Sequence, residues 1–271
     1  MNTSGKTPVG AAAQRSVTSQ YIGCEVRAHL TGFESNTLII ANRDANDGPN
    51  IGTITLRREE GAKGSTVSST SQSAPKDAVK LFDKAHDELL DGKPDRAQRD
   101  LQKAVQIYPQ YAEAWYQLGR IQEQSNPKSA QNSFQKAAAA DANYFPPYEQ
   151  LAALTAQKHK YPELLEHTTH ALQLDPRGTA NLWYYNAMAN QNLGHYDVAK
   201  SSAERSLQMD PLHAQPNTEQ LLSVILVSQH DYAGALEHLR NCLTYYPEGP
   251  NAELMKQQVS QLEQVLGPSK N

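Results

Sequence analysis

Ala112-Glu113-Ala114-Trp115-Tyr116-Gln117-Leu118-Gly119-Arg120 sets the phase of the chain. Read as a helix, it puts Trp115, Leu118 and Gly119 on one face, at i, i+3 and i+4. Trp and Leu there fill a core, and Gly, lacking a β-carbon, lets a second helix come close. Tyr116 and Arg120, four residues apart, share the other face. In this phase related units follow at a period of about 34 residues. They are 78–111, 112–144, 145–178, 180–213 and 216–249.

Each unit closes on Tyr108-Pro109, Asp141-Ala142, Asp175-Pro176, Asp210-Pro211 or Tyr246-Pro247. Proline there breaks the second helix and turns the chain into the next unit. Asp175 and Asp210 recur with the period, so they serve the turn rather than acid/base chemistry. A small residue recurs mid-unit as Ala97, Ala130, Ala199 and Ala235, with Leu164 in the third unit. The next small position holds Ala104, Ala137, Ala171, Ser206 and Cys242, which makes Cys242 a buried small residue rather than a reactive thiol. In the turns inside the units, Gly and Asn suit a left-handed residue, and His159 and His230 stand where Gly is usual. After the fifth unit, residues 250–266 read as an amphipathic helix with Leu254, Met255, Val259, Leu262, Val265 and Leu266 on its apolar side. Such a helix caps the stacking face of the last unit.

The Trp-x-x-Leu-Gly opening, the small positions and the Pro-terminated second helices resemble the tetratricopeptide repeat (TPR) family. The resemblance implies a mainly α fold: an α-solenoid of five helix-turn-helix repeats plus a capping helix, over residues 76–267. The first unit departs from the pattern at Leu81 and Lys84, and the fourth at Asn186-Ala187. In TPR proteins the first helix of each repeat lines a concave groove. Carried over to this chain, the groove holds Phe82, His86, Tyr116, Arg120, Glu149, Asn181, Tyr184, Gln191, Asn192 and Gln220. Aromatics, amides and an arginine are side chains that carry binding at interfaces, so the expected partner is a protein or peptide segment. The competing reading of any one of them is an ordinary wet surface residue. The chaperone-binding TPR proteins use a carboxylate clamp with Lys and Asn at two of these positions. Phe82/His86 and Tyr116/Arg120 occupy them here, so capture of an acidic C-terminal peptide is not expected.

Residues 1–20 are poor in large apolar side chains and read as disordered. Three alternating stretches follow within 21–57: Cys24–Leu30, Thr37–Ala41 and Ile51–Leu56, with Thr31–Ser35 as a turn. Three strands alone bury little. The stretch resembles the closing strands of a carboxypeptidase regulatory-like (transthyretin-like) β-sandwich, a partial domain of that kind. Together with the repeats it is similar to a group of exported bacterial TPR proteins. That resemblance implies a periplasmic or cell-envelope location and an upstream partner for Cys24. Met1–Gln20 lacks a signal-peptide core, so the cytoplasm is the alternative, and Cys24 is either free or paired in a longer form. Residues 58–75 are rich in Gly, Ser and Thr and read as a flexible linker.

The chain of 271 residues carries a net charge of −4, which argues against a nucleic-acid surface. No run of 18 apolar residues suggests a membrane span. No phosphate-binding loop, dinucleotide fingerprint, zinc-protease motif or nucleophile elbow is present. No cofactor, metal or enzymatic activity is expected. The one metal candidate is His167 with His170, at i, i+3 and near His159, but a third ligand is missing and a solvated helix face is the simpler reading. The expected function is a non-enzymatic interaction scaffold. A cell-envelope module with the repeats as spacer is the alternative, and a metal-dependent activity the weakest.

Overall fold

The computed structural model describes residues 25, 26, 28, 33–39, 53–58, 63–210, 216–249 and 251–267. The chain divides into two units, 1–60 and 61–271, each taken by itself. The segment 1–20 and Cys24 lie outside the described residues.

The first unit contains β1 (Glu25–Val26), β2 (Phe33–Ser35), β3 (Leu38–Ile39) and β4 (Leu56–Arg58). β1 pairs antiparallel with β3 and β2 with β4. Phe33–Ser35 is therefore a strand and not the expected turn. The reason is a long-range partner: Phe33 stands opposite Arg58 and Ser35 opposite Leu56. Asn36 extends the pairing, since its main-chain N–H donates to the Thr55 carbonyl and its side chain accepts from the Thr55 N–H at 2.6 Å. The last strand accordingly runs beyond Leu56, to Arg58.

The second unit is a run of helices: α1 (Lys76–Leu90), α2 (Pro94–Ile107), α3 (Ala112–Gln122), α4 (Pro127–Ala140), α5 (Pro146–Gln157) and α6 (Tyr161–Leu174). It continues with α7 (Ala180–Asn192), α8 (Tyr196–Met209), α9 (Pro216–Ser228), α10 (Tyr232–Tyr245) and α11 (Ala252–Leu266). Odd and even helices pair as antiparallel hairpins, and each even helix also packs on the next odd one. Pro94 and Pro127 sit in the first turn of their helices, where the missing N–H is no loss. His159 and His230 carry φ of 54° and 62°, the left-handed conformation their turns require.

The close approach of the hairpins follows from the small positions. Ala97, Ala130, Leu164, Ala199 and Ala235 are fully buried, as are Ala104, Ala137, Ala171 and Ser206, with Cys242 1% exposed. Ser206 keeps its hydroxyl satisfied by donating to the Ala180 carbonyl at 2.8 Å. Trp115 and Trp183 are only half-buried. Each indole N–H donates to a carbonyl six residues earlier, Pro109 and Arg177, so the Trp slot fastens the preceding turn as well as contributing apolar surface. α11 closes the last hairpin with Met255 and Leu262 buried against α9 and α10.

Three residues break the repeat pattern without leaving the core unsatisfied. Lys84, in a slot that usually holds Leu, pairs with Asp100 on α2, which Lys103 also contacts. Asn186, in the same slot of the fourth repeat, donates to Thr168 Oγ1 at 3.0 Å and accepts from Ser202 Oγ at 2.8 Å and Asn190 at 3.0 Å. Glu219 holds the Trp slot of the fifth repeat, buried and bonded at 2.6 Å to His238 on α10.

The stretch 58–75 departs from the expected flexible linker wherever it is described. Residues 63–73 lie along the turns between repeats, hydrogen-bonded to Leu174, Asn143, Asp141 and Glu113. Serine hydroxyls and a close-packed glycine, not apolar side chains, hold it there, so no hydrophobic signal marks it.

Candidate functional site

α5 packs on α7 and α7 on α9, past the intervening even helices, so these three helices form one wall. That wall carries most of the expected site residues, and the structure brings them together in small groups.

Tyr116 and Arg120 form the first group. One helical turn separates them, and the Arg120 guanidinium donates to the Tyr116 hydroxyl at 3.3 Å and to Glu123 at 3.1 Å. The Tyr116 ring rests against Phe134 and, edge-on, against Tyr144, with centroids 5.8 Å apart in both cases. Packing on two rings holds the Tyr116 ring in place, while Arg120 reaches solvent.

The second group lies between α5 and α7. Glu149, Gln150, Ala153, Asn181, Leu182 and Tyr185 line a pocket of about 230 Å³. Thr179 donates its hydroxyl to Glu149 at 2.8 Å while its oxygen caps α7 by accepting from the Leu182 N–H. Tyr184 and Tyr185 meet at a tilt, with centroids 5.6 Å apart, and burial pushes both phenols above their ordinary pKa, so they remain neutral hydrogen-bonding groups. At the end of the same helix Asn192 donates to Gln191 and to the Met188 carbonyl. Gln220 accepts from Asn251 at 3.4 Å.

Phe82 is half-buried and packs against the first core. Its ring lies 5.1 Å from the buried Tyr111, while His86 is exposed on the same helix. The metal candidate changes character too. The His170 ring lies against Tyr148, tilted by 45° with centroids 4.4 Å apart, and approaches the Ala142 carbonyl at 3.3 Å, so it is partly covered by its neighbours. Burial lowers the pKa of His167. Among the described residues no group of three or more His, Cys, Asp or Glu is placed to hold a metal ion.

Tyr144, Gln150 and Tyr185 lie among these groups and were not expected from the sequence. Tyr144 falls between two helices, outside the positions that helix phasing singles out. Tyr185 follows the expected Tyr184 by one residue, and it is Tyr185 that lines the pocket.

No family model matches the chain, and no curated protein matches it. Solved structures do. The TPR protein YrrB, whose structure is described as having an unusual peptide-binding site, superposes with a TM-score of 0.60 at 20% identity, over 67% of this chain and 92% of that one. MamA from Desulfovibrio magneticus RS-1 superposes with a TM-score of 0.55 at 18% identity, over 65% and 99%. A tetratricopeptide repeat protein from Parabacteroides merdae superposes with a TM-score of 0.55 at 15% identity, over 71% and 75%.

The fold is that of a TPR solenoid.

At these identities the likeness concerns the fold alone. In the TPR frame, Gly119 is the close-approach residue of the second repeat, and the equivalent positions Ala85, Ala152 and Ala187 are fully buried. The wall described above is the first-helix face of the TPR array. No helix among the described residues is long and apolar enough to cross a membrane.

Proposed function

We propose that this chain is a non-enzymatic scaffold that holds an extended peptide or protein segment along α3, α5 and α7. The observation that carries this reading is the pocket between α5 and α7. It combines a ring, two amides and a carboxylate in a recess about the size of one side chain. Tyr116 and Arg120 lie on the neighbouring odd helix, so a segment running across the helices meets both. Amides and a fixed tyrosine hydroxyl hydrogen-bond a main chain whatever its side chains, and Arg120 adds a charge-assisted donor. The peptide-binding site named for YrrB supports the same reading by analogy of fold.

The test is selection of peptides from a displayed library against the full chain. Selected peptides should lose binding at least tenfold to the Tyr116→Ala/Arg120→Ala double variant and to Asn181→Arg, which fills the pocket. Arg205→Ala, on an even helix, should leave binding unchanged. Peptides that bind all three variants alike would overturn the reading.

A second reading treats the first unit as a partial carboxypeptidase regulatory-like domain that attaches to a cell-envelope component, with the repeats as a spacer. The exposed apolar side chains Ile39 and Leu56 favour it. It requires that deletion of residues 21–57 abolish envelope association.

A further inference from the structure

Residues 63–73 cross three successive junctions between repeats. At the α6 end, the N–H groups of Lys63 and Gly64 both donate to the Leu174 carbonyl, at 3.1 and 2.8 Å. At the α4–α5 turn, the Ser65 N–H donates to the Asn143 carbonyl at 2.9 Å and the Phe145 N–H returns to the Ser65 carbonyl at 3.0 Å. Ser68 then reaches two elements at once. Its hydroxyl donates to Asp141 Oδ2 at 2.8 Å, and its N–H donates to Glu113 Oε1 at 3.0 Å. Ser69 adds a main-chain bond to Asp141 at 2.9 Å, and Ser71 accepts from the Glu113 N–H at 3.0 Å in the first turn of α3. The Tyr108 hydroxyl donates to the Thr70 carbonyl at 3.2 Å.

The fit is close. A β-carbon on Gly64 would lie 2.7 Å from Leu174 Cβ and 3.0 Å from the Leu174 carbonyl oxygen, so the main chain passes nearer to α6 than any other residue allows. Ser68 is fully buried and Ser71 is 7% exposed. No large apolar side chain takes part, so the segment contributes geometry and hydrogen bonds more than hydrophobic energy.

We infer that residues 63–73 act as a brace that locks the first three junctions of the solenoid into one arrangement. In a repeat array each unit touches only its neighbours, and each junction flexes independently. Here Gly64 and Ser65, adjacent in the chain, are bonded to the last residue of α6 and to the turn before α5, the close and the start of the third repeat. Ser68 joins the start of α3 to the end of α4. An extended segment held at these points cannot lengthen without breaking bonds, because the chain has no slack beyond about 3.3–3.6 Å per residue. The brace also abuts the proposed groove: Ser65 bridges to Tyr144, whose ring meets Tyr116, and Glu113 lies one turn before Tyr116. The inference stands on this geometry and holds whether or not the groove binds a peptide.

Hydrogen exchange on the full chain under native conditions tests it, with two variants that strike different ends. In Gly64→Val the amides of α5 and α6 should exchange at least tenfold faster, with those of α9–α11 unchanged. In Ser68→Ala, a mild change that leaves the core intact, the acceleration should fall on α3 and α4. Acceleration confined to residues 63–73 in both variants would overturn the brace. So would equal acceleration in α9–α11, which would mark a general loss of stability.

Discussion

The Phe134 ring fills the space next to Gly119: a β-carbon there would lie 2.5 Å from the ring. Phe134 is itself fully buried. In the other repeats the Gly119 slot holds Ala85, Ala152, Ala187 or Ser223, and the Phe134 slot holds Leu101, Thr168, Ala203 or Leu239. The smallest residue in the first slot thus faces the largest in the second. Gly119→Ala should therefore destabilise the chain by about 1–3 kcal/mol, the range of overpacked cores. Adding Phe134→Leu should restore most of the loss. Urea unfolding of the single and double variants checks the coupling.

Asn186 gives the opposite lesson about consensus. Leu is usual in its slot, so Asn186→Leu looks like an improvement. It would take from the Ser202 hydroxyl its acceptor, Asn186 Oδ1, while Thr168 keeps the Leu164 carbonyl and Asn190 the carbonyl of residue 186. The expected result is a loss of about 1–3 kcal/mol, the cost of a buried polar group left unpaired. An increase in thermal midpoint would contradict the assigned network.

His230 holds a left-handed turn that glycine would adopt freely. The left-handed region costs an L-residue about 1–2 kcal/mol, and the unfolded freedom of glycine offsets part of that gain. His230→Gly should stabilise the chain by about 0.5–1 kcal/mol in urea unfolding. His159→Gly should act in the same direction. A loss instead would assign weight to the ring nitrogen contacts with Tyr232 and Tyr161, at 3.2 and 3.1 Å.

Asp141 ties the segment 63–73 to the pH. Burial pushes its carboxyl up, but hydrogen bonds from Ser68, Asn143 and Ser69 outweigh burial and hold it below its usual value. A depressed carboxylate stabilises the fold above its unfolded pKa near about 4 and loses that contribution as pH falls through the folded value. Glu113 runs the other way, raised by burial against the Ser68 N–H bond. Protection of the 63–73 amides in hydrogen exchange should therefore fall as pH drops below about 4. Asp141→Asn should remove that acid dependence and cost about 1–3 kcal/mol at pH 7.

Much of the solenoid was legible because close packing of helices leaves a periodic signature. Small residues favour the close approach of two helices, and at one such position only Ala, Ser or Cys occurs, from Ala104 to Cys242. Left-handed turn positions announce themselves as Gly194 or, less comfortably, His159. The groove was legible in part. Tyr116, Arg120, Glu149 and Asn181 come from the TPR pattern carried onto this chain, and Phe82, taken from the same pattern, is half-buried beside Tyr111.

What the sequence by itself determined is the repeat: its period, its hairpins and its small residues, since these depend on contacts within one unit or the next. What only the tertiary structure decided are the partners far along the chain. Lys84, Asn186 and Glu219 look like errors in the pattern until Asp100, Ser202 and His238 arrive from the neighbouring helix. Phe33–Ser35 is a turn by composition and a strand by pairing with Leu56–Arg58. Residues 63–73 have the composition of a linker because main-chain hydrogen bonds, unlike apolar burial, require no particular side-chain pattern. Gly64 alone marks that course, and its meaning depends on Leu174, which folding brings within contact.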